Sequence, residues 1–596
     1  MSKTFIGGSG LRDGSNEALV RQIFKTLMPI QVLSAATPTL SSILNGLLIG
    51  NYLPPEALVA LGFVVPLNAL LGALPFIVSS GARILCGRFI GRGEIKKIDY
   101  AYTASMIWLC VVGALLTLIT VFGSTQVALL FGAKGTATAA TAEYIRGIGM
   151  GILPMLITPC LMVFLQMEDE SGYAFVASLV LAAGGLVFGV ANLRLFGATI
   201  YGMGIASSLS QFVTMLFLVI HIMRSDKLMG IDFSGVNFAL IREITVIGFP
   251  SAFCMILYAL RNATLNTVAL KTGGDTAVAA LAIYNSAAGP FDAVNVGFGA
   301  VVLMFGSVIV GERNNELLKA FFKSSIRIGV IICGLKGVVF CVCSRWLAVI
   351  FGAEGELVGM TALLLSLYAT TMPLNAVTQV FVSLYQNLGR LRYINILYIF
   401  NCYVFPIGIA LLTSGVIGLT GIWMCFGVAE ALTVTLMFVI PRLKNRHSKY
   451  DVGTLLMLGD EKADAPKLSI PIRTTDDAIG SSKAVMSFCE SHGIEKRRSM
   501  LSALCCEEMA VNIVTHGFKK TKKKDLSVEI FVLIEDGIVH LRIMDNAVHF
   551  DPHDKLKLEY PDDPCKNIGI RMVAKIADEM EYRNTFGMNV LRIKLM

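Results

Sequence analysis

Charge is what this chain of 596 residues has little of, and the shortage is local. Asp, Glu, Lys and Arg make up 15% of it, against roughly 25% in an ordinary soluble domain. Residues 1–440 hold 44 such groups, while the 156 residues from 441 onward hold 48, together with six of the seven His. The 13 Cys include no CxxC pair and no metal-ligand spacing, which excludes a zinc ribbon and reads as small buried hydrophobes in a reducing compartment. No GxxxxGK[ST] segment occurs, which disfavours a pump driven by a phosphate-binding loop. The first 25 residues are polar and lead into no short apolar region with a cleavage site, so a cleaved signal peptide is not expected.

What is present is apolar. Hydrophobic residues reach 55% and mean hydropathy is +0.68, too much for a single soluble core. Backbone groups must be paired inside hydrocarbon, so a spanning helix needs about 20 apolar residues. About twelve such runs occur, near 27–50, 57–82, 101–122, 142–165, 173–195, 202–223, 244–269, 277–306, 325–345, 361–385, 393–413 and 418–440. Alternate connections are basic: Arg88, Arg92, Lys96 and Lys97, then Arg224, Lys227 and Arg242, then Arg313 and Lys319, and last Arg442, Lys444, Arg446 and Lys449. With those loops inside, both termini are expected in the cytoplasm. The net charge of +8 reads the same way, and no nucleic-acid partner is expected.

The chain also repeats itself. "LLFGAKG" at 129–135 returns as "VIFGAEG" at 349–355, Gln166 is answered by Gln386 and Pro154 by Pro373, and "YGMGIA" at 201–206 by "TGIWMC" at 420–425. One spacing of about 220 residues relates all four pairs. An internal duplication of this kind builds secondary transporters, and predicts an all-α membrane domain of twelve transmembrane helices in two pseudo-symmetric six-helix lobes. Expected boundaries are a terminal segment 1–24, lobes at 25–225 and 226–440, a linker 441–469 and a soluble domain 470–596.

The segments "GNYLPPEALVALGFVVPL" (50–67), "GARILCGRFIGRGEIKKID" (81–99), "GAVVLMFGSVIVGERNNELLKA" (299–320) and "LFGATIYGMGIASSLSQ" (195–211) resemble the multidrug and toxic compound extrusion (MATE) transporters over residues 20–440. The resemblance implies export of small organic, often cationic, compounds in exchange for H⁺ or Na⁺ across a bacterial plasma membrane, in contact with its lipids. Many members carry an acidic residue on the first helix. Here the nearest polar residue is Asn45, which cannot titrate near neutral pH, so coupling centred on the first lobe is not expected.

Ionisable groups inside a membrane are costly, so each is a functional candidate. Arg261 lies in the seventh run, Asp292 in the eighth and Glu430 in the twelfth. Either they load and release a cation, or they are structural: a carboxylate at a wet helix end, or an Arg–Asp pair stapling two helices. Pro29 and Pro38 either bend the first helix by removing backbone hydrogen bonds, as alternating access needs, or are tolerated kinks.

The tail has a different texture. Helices are expected near 476–491, 497–515 and 568–580, with a hairpin of "LSVEIFVLI" and "GIVHLRIM" turning at Asp536-Gly537 and a closing strand "NVLRIKL". This gives an α/β two-layer sandwich. On the second helix Glu508, Asn512 and His516 share one face, with Cys505, Met509 and Ile513 on the other. "MDNAVHFDP" (544–552) places Asp545 at a strand end, and "NIGIRMVAKIAD" (567–578) lets Gly569 open a helix towards an anion.

These three ordered motifs resemble the Bergerat-fold ATPases, most of all the anti-sigma-factor serine kinases, over about residues 470–596. The resemblance implies bound ATP and Mg²⁺. Glu508 would orient or deprotonate the nucleophile, Asn512 would hold Mg²⁺, Asp545 would accept from the adenine amino group and Gly569 would sit at the phosphate lid. His516, Ala547, Phe550 and Asn567 fall at further motif positions. Ala547 and Asn567 stand where the family has Gly, and Ala is tolerated only if its backbone needs no positive φ.

Two whole-chain functions follow. One is a cation-coupled exporter with an ATP-binding regulatory tail. The other is a membrane sensor whose tail phosphorylates Ser or Thr on a cytoplasmic antagonist protein. A histidine kinase is disfavoured, because neither His447 nor His492 has a phosphoacceptor setting.

Overall fold

The computed structural model describes residues 17, 20–37, 55–94, 96–168, 170–195, 197, 199–225, 230–444, 451–458, 466–518, 526, 528–553, 568–585 and 588–596. The chain forms two compact units, one of residues 27–457 and one joining residues 1–26 to 458–596.

The first unit is helical. Residues 20–37 form α1, followed by α2 (Pro55–Arg92), α3 (Lys96–Phe122), α4 (Ser124–Leu130), α5 (Thr136–Gly149), α6 (Ile152–Met167), α7 (Ser171–Leu195) and α8 (Ile200–Arg224). The second half repeats the order: α9 (Phe238–Gly311), α10 (Asn315–Val342), α11 (Ser344–Ile350), α12 (Glu356–Ala369), α13 (Met372–Asn387), α14 (Leu391–Ile399), a π-helical turn (Phe400–Val404), α15 (Phe405–Ile417) and α16 (Leu419–Lys444). Among the described residues, eight helical segments are long and apolar enough to cross a membrane, one of them running from α14 through the π-helical turn to α15. The longest, α9, is two passes, because Gly274 at φ 66° and ψ −160° breaks it in a region open only to glycine. The pairs α5–α6 and α12–α13 are bent by 46° and 43° and each make one broken pass. Pro38 and part of the first apolar run lie outside the described residues; Pro29 lies inside α1. Large apolar side chains such as Leu115, Val187, Leu412 and Val416 face outward, where lipid rather than water covers them.

The duplication is visible in detail. The short helices α4 and α11, not expected from the sequence, begin 220 residues apart at Ser124 and Ser344. The cap residues Gly135 (φ 60°, ψ −134°) and Gly355 (φ 56°, ψ −130°) share one conformation. Gln31 Nε2 donates to Gln166 Oε1 at 3.0 Å, and at the equivalent positions Gln386 Nε2 donates to Ser251 Oγ at 3.2 Å. The halves meet where α2 crosses α9. A Cβ on Gly91 would lie 2.3 Å from Val308 O, and one on Gly311 would lie 2.4 Å from Arg88 O. Since 91 pairs with 311 and 88 with 308 at the repeat spacing, a local two-fold axis passes between the two glycines. Only residues without a side chain allow the backbones this close.

After α16 the chain docks again on this unit. Asp451 Oδ1 accepts from Thr454 N at 2.9 Å, capping α17 (Val452–Leu455). Tyr385 Oη then donates to Leu455 O at 2.8 Å and Arg390 to Met457 O at 2.7 Å.

The second unit is a five-stranded antiparallel sheet in the order β1-β2-β3-β5-β4, with β1 (Lys467–Ile472), β2 (Val528–Glu535), β3 (Ile538–Asp545), β4 (Glu579–Thr585) and β5 (Met588–Leu595). The helices α18 (Thr475–Ser491), α19 (Lys496–Asn512) and α20 (Ile568–Ile576) complete it. Cys505, Cys506 and Met509 of α19 join Ile530, Val532, Leu541 and Ile543 in one core. Asp536 and Gly537 both have positive φ, as a two-residue hairpin turn with the right twist requires. Two strands depart from expectation. β1 starts inside the expected linker; its Pro471 is tolerable because the strand is an edge. The helix expected to reach 580 stops at Ile576, where Asp578 N turns to Lys594 O at 3.0 Å and the polar segment Glu579–Thr585 becomes the other edge.

Candidate functional sites

The break at Gly274 folds α9 back on itself, so Arg261 and Asp292 come from its two halves into one cavity of about 280 Å³ in the second lobe. Glu430, on α16, lines the same cavity. The three ionisable residues expected from the sequence therefore share one site. Asn45 lies outside the described residues.

The two carboxylates are held by neutral donors. Tyr368 Oη, from α12, lies 3.0 and 3.1 Å from the two Asp292 oxygens. Thr378 Oγ1, from α13, donates to Glu430 Oε1, and Asn401 Nδ2 donates to Oε2 at 2.9 Å. Asn401 sits in the π-helical turn, a local widening that re-aims a side chain and recurs at functional positions. Arg261 makes a different set of contacts. Its guanidinium carbon lies 4.6 Å from the Tyr258 ring centroid and 5.2 Å from that of Phe426, and its Nε has no hydrogen-bond partner. The expected alternative of an Arg–Asp staple is not what the geometry provides: among the described residues no carboxylate oxygen pairs with Arg261. Lys336, buried on α10, donates to Phe291 O at 3.4 Å.

Tyr368, Thr378 and Asn401 carried no sequence signal, since neutral residues in apolar runs are ordinary. Lys336 did carry one: it is an ionisable residue in the ninth run, and the rule that selected Asp292 applies to it equally.

In the C-terminal unit, α19 presents Glu508 and Asn512 to the start of α20. A Cβ on Gly569 would lie 2.2 Å from Glu508 Oε2 and 3.7 Å from Asn512 Nδ2, so the close approach exists only because this residue is glycine. Asp545 ends β3, buried, and its Oδ1 accepts from Ala547 N and from Asn589 Nδ2, both at 2.8 Å. Ala547 is absent from the residues with positive φ, which meets the condition its substitution for Gly sets. Tyr582 Oη accepts from Phe550 N at 3.1 Å and donates to Asn589 Oδ1 at 2.7 Å, fixing the loop that carries the half-exposed Phe550. His516 is exposed in a π-helical turn after α19. Asn567 lies outside the described residues. Asn546 Nδ2 donates to Gln22 Oε1 of the N-terminal segment in the same unit.

The MatE family model matches residues 31–191 and 250–412, once in each half of the repeat. The chain belongs to the MatE family. A second model, the histidine kinase-like ATPase domain, matches residues 477–595, so the MatE part carries such a domain at its C-terminal side. Among curated proteins the chain is 24% identical over 439 residues to the multidrug export protein MepA of Staphylococcus saprophyticus, covering 71% of this chain and 95% of that one. MepA of Staphylococcus aureus strain COL is 24% identical over 440 residues, with 71% and 95% covered. Among solved structures, an outward-facing multidrug resistance MATE transporter of the MOP superfamily superposes with a TM-score of 0.68 at 20% identity, covering 76% of this chain and 99% of that one. A MOP superfamily transporter of Pyrococcus furiosus, described as having a binding pocket of reverse polarity, gives 0.65 at 20% identity with 76% and 99% covered. At this identity the structural matches establish the two-lobe, twelve-helix MatE fold. The protein is accordingly a multi-pass membrane protein with a histidine kinase-like ATPase domain.

Proposed function

We propose that the membrane unit exports small organic compounds in exchange for H⁺ or Na⁺, and that the C-terminal unit binds ATP and regulates it, in a bacterial plasma membrane with both termini in the cytoplasm. The observation that carries this reading is the placement of Asp292 and Glu430 in one cavity, each held by hydroxyl or amide donors rather than by a fixed cation. A carboxylate arranged so can take up a proton or Na⁺ when the cavity opens to one side and release it on the other, without first breaking an ion pair. Tyr368, Thr378 and Asn401 would orient the carboxylates and hold their charge between loading events. Flux of small organic compounds, tested as a panel of cations, neutral molecules and acids, into proteoliposomes under an imposed H⁺ or Na⁺ gradient tests it. Wild-type flux is expected, with Asp292→Asn abolishing the dependence on the gradient; gradient-independent flux in both would sink the idea.

For the C-terminal unit, the Gly569 approach to Glu508 is the cradle that supports nucleotide binding. Asp545 would accept from the adenine amino group, Asn512 would hold Mg²⁺, and Glu508 would orient an attacking hydroxyl. The bound nucleotide supplies the phosphoryl group; every other role falls to these side chains. His516, Ala547, Phe550 and Asn567 would border the same site. The second reading, a sensor kinase acting on a cytoplasmic antagonist protein, draws on this cradle and on the absence of a carboxylate in the run 27–50. Transfer of labelled γ-phosphate to such a partner, lost in Glu508→Gln, would favour it over a regulatory tail.

A further inference from the structure

The carboxylates of the second-lobe cavity have close donors, whereas Arg261, the one cation lining it among the described residues, has no close acceptor. Arg261 has a single long hydrogen bond, from a terminal nitrogen to Asn262 Oδ1 at 3.4 Å, and an Nε–H with no acceptor. A buried N–H without an acceptor, as Arg261 Nε–H is here, is costly, and protein sites keep one where something else supplies the acceptor. The guanidinium plane is fixed by Tyr258 and Phe426, so its rotamer is set before anything binds. Arg261 thus sets a positive charge on the same wall as Asp292 and Glu430, with Lys336 buried behind it against Phe291 O.

We infer that Arg261 is the receptor for an oxyanion, a carboxylate on the small organic molecule that the cavity takes. A guanidinium presents parallel N–H donors in a planar fork that matches a carboxylate and not an ester or amide. The adjoining Asn262 and Asn285, whose amides meet at 3.5 Å, are donors in reach of the same wall. The aromatic rings of Tyr258, Tyr284 and Phe426 favour an acid with an aromatic or other flat apolar body. The inference rests on the proposed export function and adds to it that the exported compound occupies this cavity.

Binding to the full-length protein in lipid nanodiscs, followed by calorimetry, tests it with three probes of one shape: N-acetyl-phenylalaninate, its methyl ester and its primary amide. The acid is expected to bind about tenfold or more tighter than either neutral analogue. Arg261→Gln should bring the three within about twofold, and Arg261→Lys should keep part of the preference, which separates loss of charge from misfolding. Equal binding of acid and ester by the wild type, no acid binding at millimolar concentration, or an undiminished preference in Arg261→Gln would overturn the assignment. Acid preference without flux of any compound would reject transport and leave the receptor standing. Flux without acid preference would do the reverse.

Discussion

Tyr368 reaches both oxygens of Asp292, at 3.0 and 3.1 Å, from a helix 76 residues further along the chain. A hydroxyl shared between two carboxylate oxygens holds the charge without neutralising it. A hydrogen bond to a charged group contributes about 1.5–3 kcal/mol. Tyr368→Phe should therefore slow gradient-driven flux about tenfold or more while the protein still reconstitutes. Unchanged flux would remove Asp292 from the coupling step.

The lobe interface predicts a sharp contrast between two glycines. Gly91→Ala places a Cβ 2.3 Å from Val308 O, a backbone atom that cannot step aside, whereas a Cβ at Gly172 meets nothing within 4 Å. Overpacking of this kind costs about 1–3 kcal/mol. Thermal unfolding in detergent should fall by several degrees for Gly91→Ala and stay near wild type for Gly172→Ala.

Gly569→Ala should weaken binding of a non-hydrolysable ATP analogue about tenfold or more, since the new methyl displaces Glu508 from the start of α20. Exchange protection of the sheet should be retained. Full affinity in this variant would mean that nucleotide, if bound at all, sits elsewhere.

Thr474 and Asp477 form a capping box at α18: Asp477 N donates to Thr474 Oγ1 at 3.1 Å and Thr474 N to Asp477 Oδ2 at 2.9 Å. Thr474→Ala should cost about 1 kcal/mol, read as a several-fold rise in amide exchange across the first turn of α18. Desolvation opposes ionisation of Asp477, but the bonds from Thr474 and the Arg473 and Thr474 amides outweigh it and hold the carboxyl below its ordinary value. Its contribution is thus present above about pH 4 and fades as pH falls through the lower folded-state value.

Burial pushes the Cys505 and Cys506 thiols up to about 12, with Cys506 adding to the effect on Cys505. Alkylation of the folded protein at pH 8 should leave both unmodified, and denaturant should expose them. Rapid labelling without denaturant would contradict the packing of α19 against the sheet.

Most of the architecture was legible in the sequence, because the membrane imposes apolar runs of fixed length and a duplication writes itself twice. What escaped was set by tertiary contacts. The short helices α4 and α11 and the polar edge strand Glu579–Thr585 depend on neighbours that periodicity does not record. The ionisable members of the cavity were legible from their cost in hydrocarbon. Their donors were not, since Tyr368, Thr378 and Asn401 acquire meaning only through where α12, α13 and the π-helical turn converge. In the second unit the motif residues were legible by order, while Asn589 and Tyr582, which pin the Asp545 loop, were not.

The two-fold relation of Gly91 to Gly311 joins halves of one scaffold that are unequal in content. One repeat earlier, Arg261, Asp292 and Glu430 correspond to Ser41, Gly72 and Ser210, none of which can change charge in this pH range. The two-fold-related halves thus share one scaffold, while these three charge-bearing positions belong to the second half alone. Under the proposed exchange, the number of ions carried per cycle would be set by Asp292 and Glu430 of the second half.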